Sequence, residues 1–277
     1  MATVHPQPSL PVPDTAAGQV GLAHICSEPR RSVVALDYDG TLAPIVADPN
    51  QAHAHPGATA ALQTLAPRVG SLAIITGRPA ADVPQLGSFT DVTPLVVLGG
   101  YGRQRWENGV LTQPEDSRAV ARARTELPEL LAAAPEGTWL EDKGQALAVH
   151  TRRTADPPAV LAALEPVVRE LAARLDLVVE PGRMVLELRP PGEDKGTALR
   201  ELVTRIGATS VLYAGDDLGD LAAFDAVAEL RMQGVSALTV CSGSTEMAAL
   251  AQRADLVVDG PAGVVALLTA LGVALVS

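Results

Sequence analysis

The sequence alternates between short apolar segments and helical patterns, and this alternation is the feature that most restricts the possible folds. The apolar segments are rich in Val, Leu and Ile and cover residues 32–36, 72–75, 95–98, 210–214, 238–240 and 256–258. Helical patterns lie at residues 57–66, 80–86, 195–206, 221–230 and 245–253. Strands alternating with helices predict an α/β fold with a doubly wound parallel sheet, in which ligands bind at the carboxyl ends of the strands.

The middle of the chain breaks this alternation. It contains helical stretches punctuated by proline and strand-like stretches, at residues 117–134, 158–175, 139–141, 146–150, 177–180 and 184–188. We therefore predict a smaller α+β cap domain, residues 103–189, inserted into a catalytic core formed by residues 30–102 and 190–277. Residues 1–29 are expected to form an N-terminal extension that is partly disordered, because prolines interrupt its first half.

Composition excludes several classes of protein. The 277-residue chain is 47% hydrophobic by count, enough for a sizeable core. Its formal net charge of -11 argues against a nucleic-acid partner, because phosphate backbones attract clustered Lys and Arg. Two distant cysteines, Cys26 and Cys241, indicate neither a disulfide framework nor a zinc site, so a cytoplasmic location is expected.

The C-terminal stretch of residues 262–276 is the one apolar tract that raises the question of a membrane. It is shorter than the roughly 20 residues that a spanning helix requires, and it predicts a buried helix instead. We expect a monomer with no membrane partner.

Two carboxylates on one tight turn suggest chemistry at phosphorus. Asp37 directly follows the apolar segment 32–36, and Asp39 and Gly40 come next in the run Asp37-Tyr38-Asp39-Gly40. Asp37 can attack phosphorus, whereas Asp39 can protonate the leaving alkoxide and later deprotonate a water. Gly40 lets the backbone turn sharply beside a phosphate. Taken alone, the same run is also typical of a hydrated Asp-Gly turn.

A second acidic cluster follows the segment 210–214 and consists of Asp216, Asp217 and Asp220. Carboxylate oxygens are the ligands that Mg²⁺ prefers, so Asp37 and Asp216 could share one ion. Asp217 and Asp220 have an alternative role, because Asp is also favoured at helix N-termini and a helix is predicted from residue 221.

Two further residues suit a phosphoryl group. Thr76 stands at the end of the segment 72–75 and, with Gly77, offers a hydroxyl and amides to a phosphate. Lys195, at the start of a predicted helix, can neutralise phosphoryl charge and keep Asp37 ionised. Each of these two signals is weak when taken alone. An isolated lysine, for example, is usually a surface residue.

Together and in this order, these four motifs resemble those of the haloacid dehalogenase superfamily of phosphohydrolases, and an insertion between the Thr76 and Lys195 motifs is similar to its C2-capped class. Longer strings resemble the trehalose-6-phosphate phosphatase family over nearly the whole chain. They are residues 36–45, 75–78, 99–102, 141–144, 148–152, 186–190 and 194–196. Gly219, Leu221 and Thr151 depart from the family pattern, and none of them removes a catalytic group.

The resemblance implies Mg²⁺-dependent hydrolysis of trehalose 6-phosphate to trehalose and phosphate through an aspartyl-phosphate on Asp37. It implies these catalytic residues: Asp37, Asp39, Thr76 and Lys195. It implies these metal-binding residues: Asp37, Asp39, Asp216, Asp217 and Asp220. It implies these substrate-binding residues: Arg78, Glu141, Lys143, Arg152, Arg183 and Glu187.

Closure of the cap about linkers near residues 101–102 and 190–192 would exclude bulk water during the reaction. Other capped sugar phosphatases, such as one for sucrose phosphate or for a mannosyl-glycerate phosphate, are alternatives, as is a phosphomutase. An alternative from another class is a catalytically silent sugar-phosphate sensor. A nucleotide-binding module is less well supported, because no Gly-x-Gly-x-x-Gly follows the first strand.

Overall fold

The computed structural model describes residues 9–46, 48–115, 117–182, 184–192, 194–243 and 248–276. The described strands are β1 Ser32–Leu36, β2 Ser71–Ile75, β3 Val96–Gly99, β4 Gln104–Glu107, β5 Val110–Thr112, β6 Trp139–Asp142, β7 Leu147–His150, β8 Val178–Gly182, β9 Val185–Arg189, β10 Ser210–Gly215, β11 Ser236–Gly243 and β12 Leu256–Asp259. The described α-helices are α1 Ala16–Ser27, α2 Ala58–Leu65, α3 Asp82–Leu86, α4 Arg118–Leu130, α5 Pro157–Arg174, α6 Lys195–Ile206, α7 Leu221–Met232, α8 Ala248–Ala251 and α9 Gly260–Ala274. The chain divides into two compact units, a larger one of residues 1–112 and 194–277 and a smaller one of residues 113–193.

The larger unit is built on one sheet with the strand order β12-β11-β10-β1-β2-β3-β4-β5. The strands from β12 to β3 are parallel, and β4 and β5 add an antiparallel hairpin at one edge. Every residue of β1 is buried, because helices cover both faces of the sheet. Val34 and Leu36 pack with residues of α2 and α9, whereas Val33 and Ala35 pack with residues of α6 and α7.

The direction in which successive strands are added to the sheet changes between β1 and β10. From β1 the chain continues to β2 and β3 on one side, and after the smaller unit it returns through β10, β11 and β12 on the other side. In a doubly wound sheet, the crevice at the carboxyl ends of the strands that flank such a reversal is where ligands bind. The residues that follow β1 and β10 therefore lie at the position that the topology favours for a ligand.

The structure departs from the sequence-based expectation at one hairpin of the larger unit, and it contains one helix that the sequence analysis did not assign. Residues 104–112, which we expected in the insertion, form β4 and β5 and extend the large sheet. Within the N-terminal extension, α1 is an ordered helix that packs against β10 and β11. A side-chain carbon at Gly21 would lie 2.0 Å from the Ala237 carbonyl oxygen, so the close approach of α1 to β11 requires glycine there.

The smaller unit is a two-layer structure. Its antiparallel sheet has the order β6-β7-β9-β8. Leu147 and Val149 of β7, with Leu186 and Leu188 of β9, pack with residues of α4 and α5 on one face. The opposite face carries Glu141, His150 and Glu187, together with Trp139 and Ala148.

The apolar C-terminal stretch forms α9, whose residues from Val264 to Gly272 are largely buried, as the sequence predicted. Within the described ranges, the structure contains no helix of the length and apolar character needed to cross a bilayer.

Candidate active site

Asp37 is the residue that the central strand delivers to the carboxyl edge of the sheet. It immediately follows β1, its amide donates to the Ala214 carbonyl of β10 at 2.8 Å, and it is only 4% exposed. Its Oδ1 lies 3.0 Å from Nζ of Lys195, which is equally buried. The predicted nucleophile and the predicted charge-neutralising lysine are therefore in contact.

Lys195 is held in place by the start of α6. Asp194 caps this helix, because its carboxylate accepts a hydrogen bond from the Thr197 amide at 2.6 Å. Lys195 is the first helical residue, and its Nζ also donates to Oδ1 of Asp220 at 2.8 Å. The lysine thus lies between two carboxylates.

Both oxygens of Asp220 are engaged by the protein. Oδ1 accepts from Lys195 and from the Tyr213 hydroxyl, the latter at 2.6 Å. Oδ2 accepts from the amides of Asp216 and Asp217, at 3.0 and 3.2 Å. Asp220 is fully buried and shapes the loop after β10 through these four bonds.

Asp217 has a local capping role beside this cluster. Its carboxylate accepts from the Gly219 amide at 2.9 Å and caps a short helical turn, Leu218–Asp220, and the residue is exposed. The capping role that the sequence left open for Asp217 is the role that its contacts support.

Asp216 presents an unsatisfied acceptor. Its Oδ1 is buried and has no hydrogen-bond partner among the described residues. The turn at Gly40 packs directly against its other oxygen, since a side-chain carbon at Gly40 would lie 1.9 Å from Oδ2. Gly40 also has a positive φ of 75°, and its carbonyl accepts from the Ser242 hydroxyl at 2.7 Å.

These residues fit a divalent cation. One carboxylate oxygen from each of Asp37, Asp216 and Asp220 lies within 4.8 Å of the others, and all three residues are buried. The orphaned oxygen of Asp216 supplies an acceptor for which the described residues offer no donor. Hard oxygen donors of this kind suit Mg²⁺.

The electrostatics also indicate a shortage of positive charge. Burial raises the pKa of Asp37 well above its usual range, Lys195 opposes this shift, and Asp220 and Asp216 add to it. Burial together with the carboxylates of Asp217 and Asp220 raises the pKa of Asp216 to about 8. Burial alone would lower the pKa of Lys195, but Asp220 and Asp37 raise it well above its usual range. A cation would compensate the buried carboxylates.

Asp39 and Arg78 form a bidentate ion pair. Arg78 Nε donates to Asp39 Oδ2 at 2.6 Å, and Nη2 donates to Oδ1 at 2.7 Å. The guanidinium also lies over the Tyr38 ring, 5.4 Å from its centroid. Arg78, which we predicted to bind substrate, thus contacts the predicted acid/base in this structure.

Thr76, the predicted phosphate-binding residue, is buried, and its hydroxyl accepts a hydrogen bond from the Arg78 amide at 3.2 Å.

The remaining substrate-binding candidates belong to the smaller unit. Lys143 Nζ contacts Glu187 Oε2, and Glu187 Oε1 is buried with no partner among the described residues. Glu141 Oε2 lies 2.7 Å from His150 Nε2. Arg152 is half-buried in the loop after β7. Arg183 lies outside the described residues.

Sequence reasoning missed three residues that shape these sites: Tyr213, Ser242 and His150. Tyr213 is a polar aromatic that follows the apolar residues Val211 and Leu212 in β10, and a buried tyrosine hydroxyl usually needs a partner. Ser242 lies at the carboxyl end of β11, the same edge as the other motifs. His150 belongs to one of the strings that carried the family resemblance, but no role was assigned to it.

The doubly wound sheet with an inserted α+β unit is the fold of the haloacid dehalogenase-like hydrolases. A haloacid dehalogenase-like hydrolase from Bacteroides thetaiotaomicron has the same fold, with a TM-score of 0.63 at 17% identity, over 86% of this chain and 98% of that one. The C-terminal domain of the C. albicans trehalose-6-phosphate phosphatase also shares it, with a TM-score of 0.78 at 21% identity, over 95% and 98% of the two chains.

Sequence comparison identifies the family. A sequence model of the family described as trehalose-phosphatase matches residues 35–258. A trehalose-phosphate phosphatase from Mycolicibacterium paratuberculosis is 37% identical over 222 residues, which are 76% of this chain and 54% of that protein. One from Mycobacterium leprae is 34% identical over 248 residues, 84% and 55% of the two. The chain belongs to the trehalose-phosphatase family, and it spans about half the length of these curated relatives.

Proposed function

We propose that the protein hydrolyses trehalose 6-phosphate to trehalose and phosphate by two successive displacements at phosphorus. The observation that carries this proposal is the contact between the Asp37 carboxylate and Lys195 at the carboxyl edge of the sheet, beside Asp216, in a chain of the trehalose-phosphatase family.

In the first displacement, an oxygen of Asp37 attacks phosphorus, and the bond between phosphorus and the sugar oxygen breaks. The electron pair of that bond goes to the sugar oxygen, which takes a proton from the carboxyl group of Asp39 and leaves as the hydroxyl of trehalose. Lys195 is placed to hold Asp37 ionised and to offset negative charge that accumulates around phosphorus.

In the second displacement, a water attacks the phosphorus of the aspartyl-phosphate. Asp39 accepts a proton from this water, the bond from phosphorus to the Asp37 oxygen breaks, and phosphate leaves. Asp39 serves as acid and then as base, so its ion pair with Arg78 must open or shift during the cycle. We infer that Arg78 controls the orientation of Asp39.

Asp37 and Asp216 are the residues that we expect to hold Mg²⁺, since Asp220 is already engaged by four hydrogen bonds and Asp217 by the Gly219 amide. When bound, Mg²⁺ would neutralise buried carboxylate charge and help to position the phosphoryl group. Thr76 and the amides near it are proposed to bind the phosphoryl oxygens.

Sugar recognition is assigned to the smaller unit, through Glu141, Lys143, Arg152 and Glu187. Carboxylates accept hydrogen bonds from sugar hydroxyls, and cationic side chains donate to hydroxyl oxygens. Glu187 Oε1 supports this assignment, because it is buried without a partner among the described residues and a substrate hydroxyl would satisfy it. The cytoplasmic location and the monomeric state of the protein stay predictions.

Phosphate release across a panel of substrates tests the proposal. Trehalose 6-phosphate, sucrose 6-phosphate, glucose 6-phosphate and a mannosyl-glycerate phosphate are offered to the wild type with Mg²⁺ or with EDTA. We expect trehalose 6-phosphate to be the best substrate and EDTA to abolish turnover. Asp37→Asn should lose activity on every substrate, because the nucleophile is absent.

Three outcomes decide against parts of the proposal. A different best substrate would reject trehalose 6-phosphate. Binding without turnover would support a sugar-phosphate sensor. Full activity of Asp37→Asn would reject the aspartyl-phosphate mechanism. Asp225→Asn is the matched control, since Asp225 is paired with Arg253 on the surface, away from the cluster.

A further inference from the structure

The face of the smaller sheet opposite α4 and α5 gathers side chains from three strands. Glu141 of β6 pairs with Ala148 of β7, which pairs with Glu187 of β9. Trp139 and His150 form the next pair on the same face, two residues away on each strand. Directly paired residues of an antiparallel sheet project to the same side. His150 therefore shares a face with the carboxylates that we assign to the sugar.

His150 is fixed in position by its surroundings. Its ring stacks on the Trp139 ring, with a centroid distance of 4.3 Å and an interplanar angle of 5°. The Trp139 ring also contacts the Arg153 guanidinium, which lies 4.4 Å from its centroid. His150 is 8% exposed. A stacked and buried imidazole has little freedom to rotate, so the direction of its N–H groups is set by the fold.

The fixed imidazole contacts Glu141 directly. His150 Nε2 lies 2.7 Å from Glu141 Oε2. An ionised carboxylate only accepts hydrogen bonds, so Nε2 carries the hydrogen and donates it. The Glu141 side chain is 35% exposed, and this bond restricts the conformations that it can adopt.

We propose that His150 is a positioning residue that fixes the Glu141 carboxylate for binding a sugar hydroxyl. The proposal rests on the sugar-binding role of Glu141 in the proposed function. A carboxylate oxygen can accept more than one hydrogen bond, so the bond from His150 orients the group without using up its acceptor capacity. A side chain that is oriented in advance loses less entropy when the sugar binds.

Two substitutions separate the hydrogen bond from the stack. His150→Phe keeps an aromatic ring against Trp139 and removes the N–H. We expect the KM for trehalose 6-phosphate to rise about tenfold with kcat nearly unchanged, the effect of losing a hydrogen bond to a charged group. His150→Gln, whose amide can reach the position of Nε2, should restore KM to within about threefold of the wild type. Turnover of p-nitrophenyl phosphate, which has no sugar, should not change in either variant.

A double-mutant cycle tests whether His150 acts through Glu141. Glu141→Ala should raise KM for the sugar phosphate, and adding His150→Phe to it should have no further effect, because the carboxylate to be positioned is gone. His53→Phe is the matched control, since His53 is an exposed histidine of the larger unit. It should leave KM unchanged.

Several results would overturn the proposal. An unchanged KM in His150→Phe would do so, and so would additive effects of His150→Phe and Glu141→Ala. A fall of kcat on both substrates together with a lower Tm would show a purely structural role. If His150→Phe does not fold, His150→Asn replaces it, because its shorter amide cannot reach Glu141. If the wild type does not hydrolyse trehalose 6-phosphate, both this proposal and the proposed function are overturned. If Glu141→Ala raises KM as expected but His150→Phe leaves KM unchanged, only the positioning role of His150 is overturned.

Discussion

Three aspartates close together in the loop after β10 have three different environments. Asp216 presents a buried oxygen without a partner among the described residues, Asp217 caps a turn at the surface, and Asp220 is buried and satisfied by Lys195, Tyr213 and backbone amides. One type of side chain therefore serves local capping at Asp217 and internal positioning at Asp220, and at Asp216 it offers an acceptor that suits the proposed cation. Only the contacts made after folding separate these roles.

The same substitution at each position should give three different results. Asp216→Asn should lower kcat on the order of a hundredfold or more, as loss of a charge-stabilising group in an active site does. It should not lower stability in EDTA, because burial already disfavours the ionised form of Asp216 and the amide that replaces it carries no charge. Asp220→Asn should lose activity and about 3 kcal/mol of unfolding free energy, because Lys195 loses a buried partner and the new amide faces backbone N–H groups.

Asp217→Asn is the matched control for these two variants, because asparagine still accepts from the Gly219 amide. It should keep both activity and stability close to the wild type. Urea unfolding in EDTA and phosphate release in Mg²⁺ measure the two effects. A stability loss in Asp216→Asn equal to that in Asp220→Asn would contradict the separate roles.

At the scale of elements, α1 is held by a buried network at the start of the edge strand β12. Asp255, which precedes β12 and is 2% exposed, accepts from the Thr15 hydroxyl, from Arg231 and from both the amide and the hydroxyl of Thr239. The Asp14 amide donates to the Asp255 carbonyl at 2.7 Å. One carboxylate thus ties the start of α1 to β11 and to the end of α7.

This network predicts a pH dependence of stability. Burial alone would raise the pKa of Asp255, but hydrogen bonds from Thr15, Thr239 and Arg231 outweigh burial and lower the pKa. A carboxyl group whose pKa is lower in the folded state stabilises the fold above its unfolded pKa of about 3.9, and this contribution is lost as the pH falls through the folded pKa.

Asp255→Asn should therefore be less stable than the wild type at pH 6, by about 3 kcal/mol, with the difference shrinking below about pH 4. Urea unfolding between pH 3 and pH 7 measures this. Limited proteolysis at pH 6 should cut the variant within residues 14–27 first, while kcat is unchanged. A stability difference that is constant with pH would show that ionisation of Asp255 is not its source.

The elements that the sequence predicted are those whose signal is local. The helix of residues 195–206 and the strand of residues 32–36 were predicted with the bounds that the structure gives them. In contrast, α1 carries a poor amphipathic pattern, and its place depends on Gly21 approaching the Ala237 carbonyl. All three residues of β5 are exposed, so its sequence lacks the alternation that marks a half-buried strand. The positions of α1 and β5 depend on tertiary contacts, and no local sequence pattern reveals such contacts.

The residues of the candidate site also divide into those that a local pattern predicts and those that only the folded structure reveals. Strand-end motifs predicted Asp37, Thr76 and Asp216 at one edge, because parallel strands align their carboxyl ends. The pairing of Arg78 with Asp39 and of Tyr213 with Asp220 was not predictable, since each depends on a side-chain direction set by packing.

At the scale of the whole molecule, the topology brings together carboxylates from distant parts of the chain. Asp37 comes from the segment before the smaller unit and Asp216 from the segment after it, and β1 and β10 place them on adjacent strands. Folding of the larger unit therefore creates the candidate cation site, which neither segment contains alone. Metal binding and folding stability should be linked, because only the folded state presents the site.

This linkage predicts that Mg²⁺ raises the Tm of the wild type. A ligand at about 100 times its Kd adds roughly 2.7 kcal/mol to the unfolding free energy, and for a chain of this size that corresponds to a shift of several degrees. Asp216→Asn should start from a Tm at least equal to that of the wild type in EDTA and should show little or no rise with Mg²⁺, whereas Asp217→Asn should keep the full rise. Differential scanning fluorimetry over a Mg²⁺ titration, with K⁺ used to hold ionic strength constant, measures both effects. An equal rise in Asp216→Asn would place the stabilising ion elsewhere on the protein, because the orphaned carboxylate oxygen would then have no part in binding it.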